Sequence, residues 1–389
     1  MNNSQDKVTL ALFAHEIVPE IGHSRAMIET INQLPADKIE KLYIISFEMT
    51  SASKIFPKLA SKVEFIKVPK LYFGPFLVKM LYFFIASWLV AKTRIPAKAK
   101  KIGIGIASLT VDYVNIQFIH REWEYFYFKN FSFPIHKYIY KKLLFFFFKL
   151  GENYLYRFKD STKFSVLSKF EASYLESTFK VPKHNLKLNY SGINLDNFKF
   201  SNSSKDKIFM DLKEKYPQLE KIDIERPIYL FVGAFERKGL HLVIEKIQEV
   251  PNAQLLVVGS PEAGGNFHFP SSLNITHIKF TKEIQSFYQI SDCFIFPTIY
   301  EPFGLVLAEA ACMGLKIYTT SYKVGASELL GNLDQVHIFD DPNDIVIEPL
   351  EVPLSYEEKL KLREQRLERL QSMTWKKTGE SFWEVLNLP

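Results

Sequence analysis

The stretch PTIYEPFGLVLAEAACMGLKIYTT places two carboxylates, Glu301 and Glu309, eight residues apart in an otherwise apolar segment. A strand ending at Pro297, followed by good helix formers from Leu305 to Met313, predicts a helix that starts around Pro302 to Gly304. The first backbone N–H groups of such a helix, those of Phe303, Gly304 and Leu305, have no partners within it, and the positive end of the helix dipole lies behind them. A phosphate suits that position. Glu301 stands before the helix, and Glu309 sits in its second turn with its side chain leaning back towards the N-terminus. Carboxylates so placed can accept hydrogen bonds from the hydroxyls of a ribose or a sugar ring. Taken alone, Glu301 could equally favour the helix dipole as a cap and Glu309 could be an exposed acid.

A helix start that seats an anion needs a parallel sheet to carry it, because ligands of open α/β sheets bind beyond the carboxyl ends of the strands. The chain supplies the elements. VTLALFA, KLYIISF, VEFIKV and VDYVNIQFIH read as strands in the first half, and PIYLFVGAF, AQLLVVGS, NITHIKF, DCFIFPT and LKIYTTS in the second. Between them lie helical patterns such as GLHLVIEKIQEV, whose Leu240, Val243, Ile244 and Ile247 share one face. Two doubly wound α/β domains account for this alternation within 389 residues. The polar run FSNSSKDKIFMDLKEKYPQLEKIDIERP marks the boundary, giving an N-terminal domain over 1–200 and a C-terminal one over 201–373. Trp375, Phe382 and Leu386 fall on one helical face, so a last helix over 374–388 is expected to pack back on the first domain.

Composition narrows the function classes. Apolar residues make up 47% and charged residues 24%, as in a globular protein with real cores. Residues 1–200 hold 29 Lys and Arg against 16 Asp and Glu, while the remainder holds 20 against 27, so the net charge of +6 belongs to the first half. That half is suited to something anionic, a phosphorylated substrate or an acidic membrane surface, or else has a solvated lysine-rich surface. Nucleic acid is disfavoured, since the basic residues form no recognition motif and the second half is acidic. Cys293 and Cys312 lie in apolar runs and read as core residues, and no cysteine or histidine cluster has zinc spacing, which fits a reducing cytoplasm. The run from Val8 to Ala14 reads as a first strand rather than a signal peptide. In the greasy stretch from Leu71 to Lys92, the uninterrupted part Met80 to Ala91 falls short of the roughly 20 residues that span a bilayer, which predicts a buried helix, with membrane contact as the alternative. KKLLFFFFKLGENYLYRFKD, with four consecutive Phe among basic residues, is either inter-helix core or an amphipathic surface that sits on anionic lipid.

E-P-F-G-L-x-x-x-E-A, followed by a small-residue helix, a glycine and a strand, resembles the E-x7-E motif of retaining glycosyltransferases of family 4. The resemblance implies the GT-B fold, two Rossmann-like domains facing a central cleft. It extends to FVGAFERKGLHLVIEKI, where Lys238 takes the position of the family's diphosphate-binding lysine. Many members carry an arginine a few residues earlier; here Gly233 and Ala234 stand in that neighbourhood, and Arg237 is the candidate replacement. NYSGINLDNF resembles the element that closes the family's first domain, and FSVLSKFEASYL its preceding strand and turn, with Ser168 near the cleft. NIQFIHREW puts His120 after a strand, where the family has a histidine beside the donor sugar. HIKFTKEIQSFYQISDCFIFPT resembles the segment whose backbone contacts the base, near Thr281. The first glycine loop departs most from the family, with Gly22 alone where many members have Gly-Gly, and Arg25 following as an acceptor-side or phosphate contact.

The resemblance implies transfer of a hexose from a nucleotide diphosphate sugar, UDP-sugar favoured and GDP-sugar possible, to a hydroxyl of a glycan or glycolipid acceptor, with retention of configuration. Glu301, His120 and Lys238 would be the catalytic set, with Gly22, Arg237, Thr281, Phe303, Gly304, Leu305 and Glu309 as further donor contacts. No cofactor and no metal are expected, and the chain has no Asp-x-Asp. The likeness to enzymes of lipopolysaccharide core and envelope glycan synthesis implies a bacterial, cytoplasmic protein that is peripheral to the inner face of the membrane. Two alternatives share the fold: a non-catalytic carbohydrate-binding pseudo-enzyme, which the single Gly22 and the missing upstream arginine could signal, and a nucleotide-sugar epimerase.

Overall fold

The computed structural model describes residues 7–388 apart from residues 132, 202, 262–266 and 322. The chain forms two compact units, one running to Gly192 and resuming at Trp375, the other spanning Ile193–Thr374.

The first unit is built on β1 (Val8–Phe13), with β2 (Glu16–Ile17) pairing β4 (Glu48–Met49) as a small separate ribbon around β3 (Ile39–Ser46). β5 (Val63–Lys67), β6 (Lys100–Ile104), β7 (Tyr113–Asn115), β8 (Lys163–Val166) and β9 (Leu186–Leu188) complete the main sheet, in the order β5-β3-β1-β6-β7-β8-β9. Every pairing in it is parallel. β1 is nearly all apolar because helices cover both faces of such a sheet. The helices of this part are α1 (Gly22–Asn32), α2 (Ala52–Ile55), α3 (Phe76–Thr93), α4 (His120–Asn130), α5 (Ile135–Glu152) and α6 (Lys169–Tyr174).

The second unit has the sheet order β12-β11-β10-β13-β14-β15, again wholly parallel. Its strands are β10 (Ile228–Val232), β11 (Gln254–Val258), β12 (Asn274–Ile278), β13 (Cys293–Phe296), β14 (Lys316–Thr320) and β15 (Val336–Phe339). Around them lie α7 (Lys205–Lys215), α8 (Leu240–Ile247), α9 (Ile284–Ile290), α10 (Leu305–Cys312), α11 (Ser327–Leu330) and α12 (Tyr356–Gln371). The last helix, α13 (Trp375–Leu386), returns to the first unit, where Phe382, Val385 and Leu386 join Met27, Ile28 and Ile31 of α1 in one core. Cys293 and Cys312 are buried free thiols, and burial pushes both up, Cys312 to about 12.

Two local expectations are corrected, and a third segment is divided between its two faces. VDYVNIQFIH is a strand only over Tyr113–Asn115, and His120 opens a helix rather than closing a strand. The reason is the Glu152 carboxylate, which accepts the backbone N–H groups of His120 (2.5 Å) and Arg121 (3.1 Å) and so caps α4 from another helix. α3 is not a buried helix: Leu77, Met80, Phe83, Ser87 and Ala91 enter the core, but the opposite, equally apolar face is exposed. The Phe run of α5 divides by helical geometry, with Phe145 and Phe148 buried and Phe146 turned outwards. The core reading therefore holds for one side of the helix, and the other side is exposed apolar surface.

Candidate functional site

In the second sheet β10 lies between β11 and β13, so the chain leaves β10 on one side and returns at β13 on the other. Loops diverge at such a switch point and leave a crevice at the carboxyl edge. One wall is the loop from Gly233 to Gly239 after β10, the other the loop from Pro297 to Gly304 after β13. They are stitched together by Arg237, whose carbonyl accepts the Ile299 N–H (3.0 Å) and the Thr298 hydroxyl (3.3 Å).

Three charged side chains converge on this edge. The Arg237 guanidinium donates to Glu301 Oε2 at 2.7 Å and to the Tyr300 carbonyl at 3.1 Å. Lys238 Nζ lies 3.6 Å from the same carboxylate oxygen and 5.1 Å from the centre of the Phe296 ring. The lysine stem crosses Gly233 so closely that a Cβ there would sit 2.3 Å from Lys238 Cδ, and Gly233 also has φ +131°, so a side chain would displace the ammonium. Burial lowers the Lys238 pKa against the opposing pull of Glu301. Burial alone would raise that of Glu301, but Arg237 and Lys238 outweigh it and hold the carboxyl below its usual range. Glu301 is therefore a carboxylate at neutral pH.

The same edge holds the start of α10. Gly304, its N-cap, has φ +91°, a left-handed conformation that favours glycine, and directs the chain from Glu301 into the helix. The loop after β14 braces this turn: Glu301 pairs with Val324 in a parallel bridge, and the Gly325 and Ala326 N–H groups donate to the Pro302 and Phe303 carbonyls at 3.2 and 2.8 Å. Neighbouring Lys323 is buried with φ +59°, and burial brings its pKa down to about 7. In the second turn of α10, Glu309 is buried rather than exposed and accepts a hydrogen bond from the Tyr288 hydroxyl of α9 at 3.0 Å.

Arg237, Lys238, Glu301, Phe303, Gly304, Leu305 and Glu309 thus gather at one carboxyl edge of the second sheet. Thr281 lies in the loop after β12, three residues beyond its last residue. Its hydroxyl is shared between the Tyr216 hydroxyl (2.8 Å) and the Glu283 N–H (2.8 Å), which leaves backbone rather than side chain for a ligand there.

In the first unit, Gly22 opens α1 beyond β1, and a Cβ built on it would meet nothing within 4 Å. The His120 ring stacks on Phe148 at 4.0 Å, and its Nδ1 lies 3.3 Å from Glu152 Oε1. His15, directly after β1, lies near both His23 and His120; burial first, and then those two neighbours, push its pKa down to about 4. Ser168 is committed locally, its hydroxyl capping α6 by accepting the Glu171 N–H at 3.1 Å.

Sequence reasoning missed His15, Glu152, Tyr288 and Lys323. His15 and Lys323 carried a usable signal, since each closely follows a strand at the carboxyl edge. Glu152 and Tyr288 carried none, because both act on residues more than twenty positions away.

Comparison with known proteins bears on this geometry. Residues 213–348, which include the whole second sheet, match the family model "Glycosyl transferases group 1". A capsular polysaccharide biosynthesis glycosyltransferase of Staphylococcus aureus, CapM, is 29% identical over 142 residues, 34% of this chain and 35% of CapM. The matched stretch spans about a third of the length of the curated relatives found. Among solved structures, WaaG, a glycosyltransferase involved in lipopolysaccharide biosynthesis, superposes over 98% of this chain and 97% of its own with a TM-score of 0.66 at 15% identity. Anabaena HepE, solved with UDP and glucose, covers 98% and 99% with a TM-score of 0.65 at 13% identity. The chain has the GT-B type of fold, with two parallel-sheet Rossmann-like units, and residues 213–348 of the second unit are similar to the group 1 glycosyl transferase model.

Proposed function

We propose that the protein is a retaining hexosyltransferase of family 4 type, which moves a hexose from a nucleotide diphosphate sugar to a hydroxyl of a glycan or glycolipid in bacterial envelope polysaccharide synthesis. The convergence of Lys238 and Arg237 on Glu301 beside the start of α10, at the switch point of the second sheet, carries the reading. Departure of the diphosphate leaves oxocarbenium character on carbon-1 of the sugar, so the chief catalytic demand is to stabilise the negative charge that leaves. Lys238, Arg237 and the first N–H groups of α10, from Phe303 to Leu305, are assigned to the phosphates. Glu301 is assigned to the sugar hydroxyls and the face near carbon-1, Glu309 to the ribose, and the backbone near Thr281 to the base. Gly22, with open space where a side chain would be, is assigned to close backbone approach to the donor, and His120 to a hydrogen bond with the sugar. Neutralisation by these groups is the basis for expecting no metal requirement. UDP is the favoured nucleotide, in keeping with the HepE complex. The relation to CapM and the likeness to WaaG favour an envelope acceptor and work in the cytoplasm at the inner face of the membrane.

The test is transfer from UDP-, GDP- and ADP-hexoses to lipid-linked and free glycan acceptors by the purified protein. Lys238→Ala and Glu301→Ala are expected to lose at least about a hundred-fold in turnover while remaining folded, as removal of a charge-stabilising group does elsewhere. Near-normal turnover by either variant would overturn the assignment.

A further inference from the structure

The second unit holds a cavity of about 490 Å³ lined by none of the residues assigned to the donor. Its walls are the start of α7, the end of α9 and the start of α12. That is the size of pocket that takes a metabolite-sized ligand. One side is apolar: the Phe200 and Tyr356 rings meet edge to face at 5.3 Å, and Leu354 lines the same cavity. The Gln289 side-chain amide donates to the Ser201 carbonyl at 3.3 Å and accepts the Ser201 N–H at 3.1 Å, which fixes this part of the lining to α9.

The charge here is unbalanced. Asp292, wholly buried behind the lining, accepts the Ile228 and Leu354 N–H groups at 2.8 and 3.0 Å. Lys359 Nζ is committed to the protein, donating to the Ser291 and Gln289 carbonyls at 2.6 and 3.1 Å and lying 3.4 Å from Asp292 Oδ1. Lys205 Nζ lies 3.6 Å from the same oxygen, is shielded from water, and donates no hydrogen bond among the described residues. Two cations against one carboxylate leave one positive charge over, and a buried charge without full compensation is costly. The Ser201 and Ser204 hydroxyl oxygens accept the Ser203 and Lys207 N–H groups at 3.1 and 3.3 Å, which leaves each O–H to donate elsewhere. The acids of the adjoining helix turns, Asp206, Glu357 and Glu358, are exposed and do not line the cavity. An ammonium and two hydroxyls with protons to give call for an anionic acceptor, and the ring wall calls for an apolar body.

We propose that this cavity is a binding site for an aromatic monocarboxylate, whose carboxylate accepts hydrogen bonds from Lys205, Ser201 and Ser204 and whose ring lies against Phe200 and Tyr356. A single negative charge matches the single uncompensated positive one. Such a ligand is smaller and less charged than a nucleotide diphosphate sugar, so the site differs in chemistry as well as in lining from the edge that carries Lys238 and Glu301.

The test is calorimetric titration of the full chain with naphthoate, and with naphthamide and acetate, which lack the charge and the ring respectively. Naphthoate is expected to bind at submillimolar concentration, and each of the other two at least about ten-fold more weakly, as loss of a charge-assisted hydrogen bond or of a buried ring requires. Lys205→Met, which keeps an apolar stem and leaves Lys359 on Asp292, is expected to weaken naphthoate binding about ten-fold or more, and Lys205→Arg to retain most of it. Tyr356→Ala, at an exposed position, removes part of the ring wall without touching the ion pair and should weaken binding several-fold. Lys238→Ala should leave it unchanged, so failure here is separable from failure of the glycosyltransferase reading. No binding of naphthoate, equal binding of naphthamide, unchanged binding by Lys205→Met or by Tyr356→Ala, or loss of binding in Lys238→Ala would each overturn the proposal.

Discussion

Glu301 shares its carboxylate with two cations before any substrate arrives, and a bound diphosphate would compete for the same cations. Glu301→Gln should therefore weaken the fold and strengthen nucleotide binding. Loss of a partly buried charge pair predicts a stability decrease of about 1–2 kcal/mol at neutral pH. Release of Arg237 and Lys238 predicts a several-fold gain in nucleoside diphosphate affinity. The sign with pH follows from the depressed carboxyl: its contribution is complete above the ordinary value of 4.5 and is lost as pH falls through the lower folded value. The variant should lack that portion of acid sensitivity. Thermal unfolding from neutral to acid pH, with and without UDP, checks both effects, and weaker UDP binding by the variant would contradict the arrangement. At this scale the EPFG segment and the Arg-Lys pair could be picked out because their chemistry is carried by neighbours in sequence. The bond between Arg237 and Glu301 could not, since it joins residues 64 apart, and the same distance problem hid Tyr288 behind Glu309.

Helix α4 begins where it does because α5 supplies the acceptor for its first N–H groups. Glu152→Ala would leave the His120 and Arg121 N–H groups without that acceptor in a partly buried setting, which predicts a loss of about 1–3 kcal/mol. It would also release the His120 ring, so turnover should fall more than donor affinity does. Chemical denaturation together with separate measurement of kcat and KM checks this; unchanged stability would contradict the capping role. Elements were legible where a run was long and one-sided: VTLALFA, PIYLFVGAF and GLHLVIEKIQEV need only their own apolar pattern. β6, KKIGI, is not legible because its glycine and lysines break the apolar run, and β15, VHIF, because it is a short, half-exposed edge strand. The faces of α3 are not legible for a different reason, since a helix apolar all round gives no sign of which side meets the core.

At the scale of the whole chain, the last helix returns to the core of the first unit. Phe382 is fully buried beside α1, so Phe382→Ala should destabilise that unit by about 3–5 kcal/mol through lost burial and the cavity left behind. Thermal unfolding with limited proteolysis checks it, and wild-type resistance in the first unit would contradict the packing. Two parallel-sheet domains were legible from alternating strands and helices, because each crossover needs a helix to return the chain. The strand orders, and with them the switch point that makes the crevice, were not, because many orders satisfy one alternation. The central claim is that this crevice seats a nucleoside diphosphate on Lys238 and the start of α10. Calorimetric titration of wild type and Lys238→Ala with UDP, GDP and ADP, and with the parent nucleosides, tests it most directly. The diphosphate that wild type binds best should bind the variant about ten- to a hundred-fold more weakly, with nucleoside affinity unchanged. Equal diphosphate affinity in the two proteins, or no binding of any of the three by wild type, would contradict it.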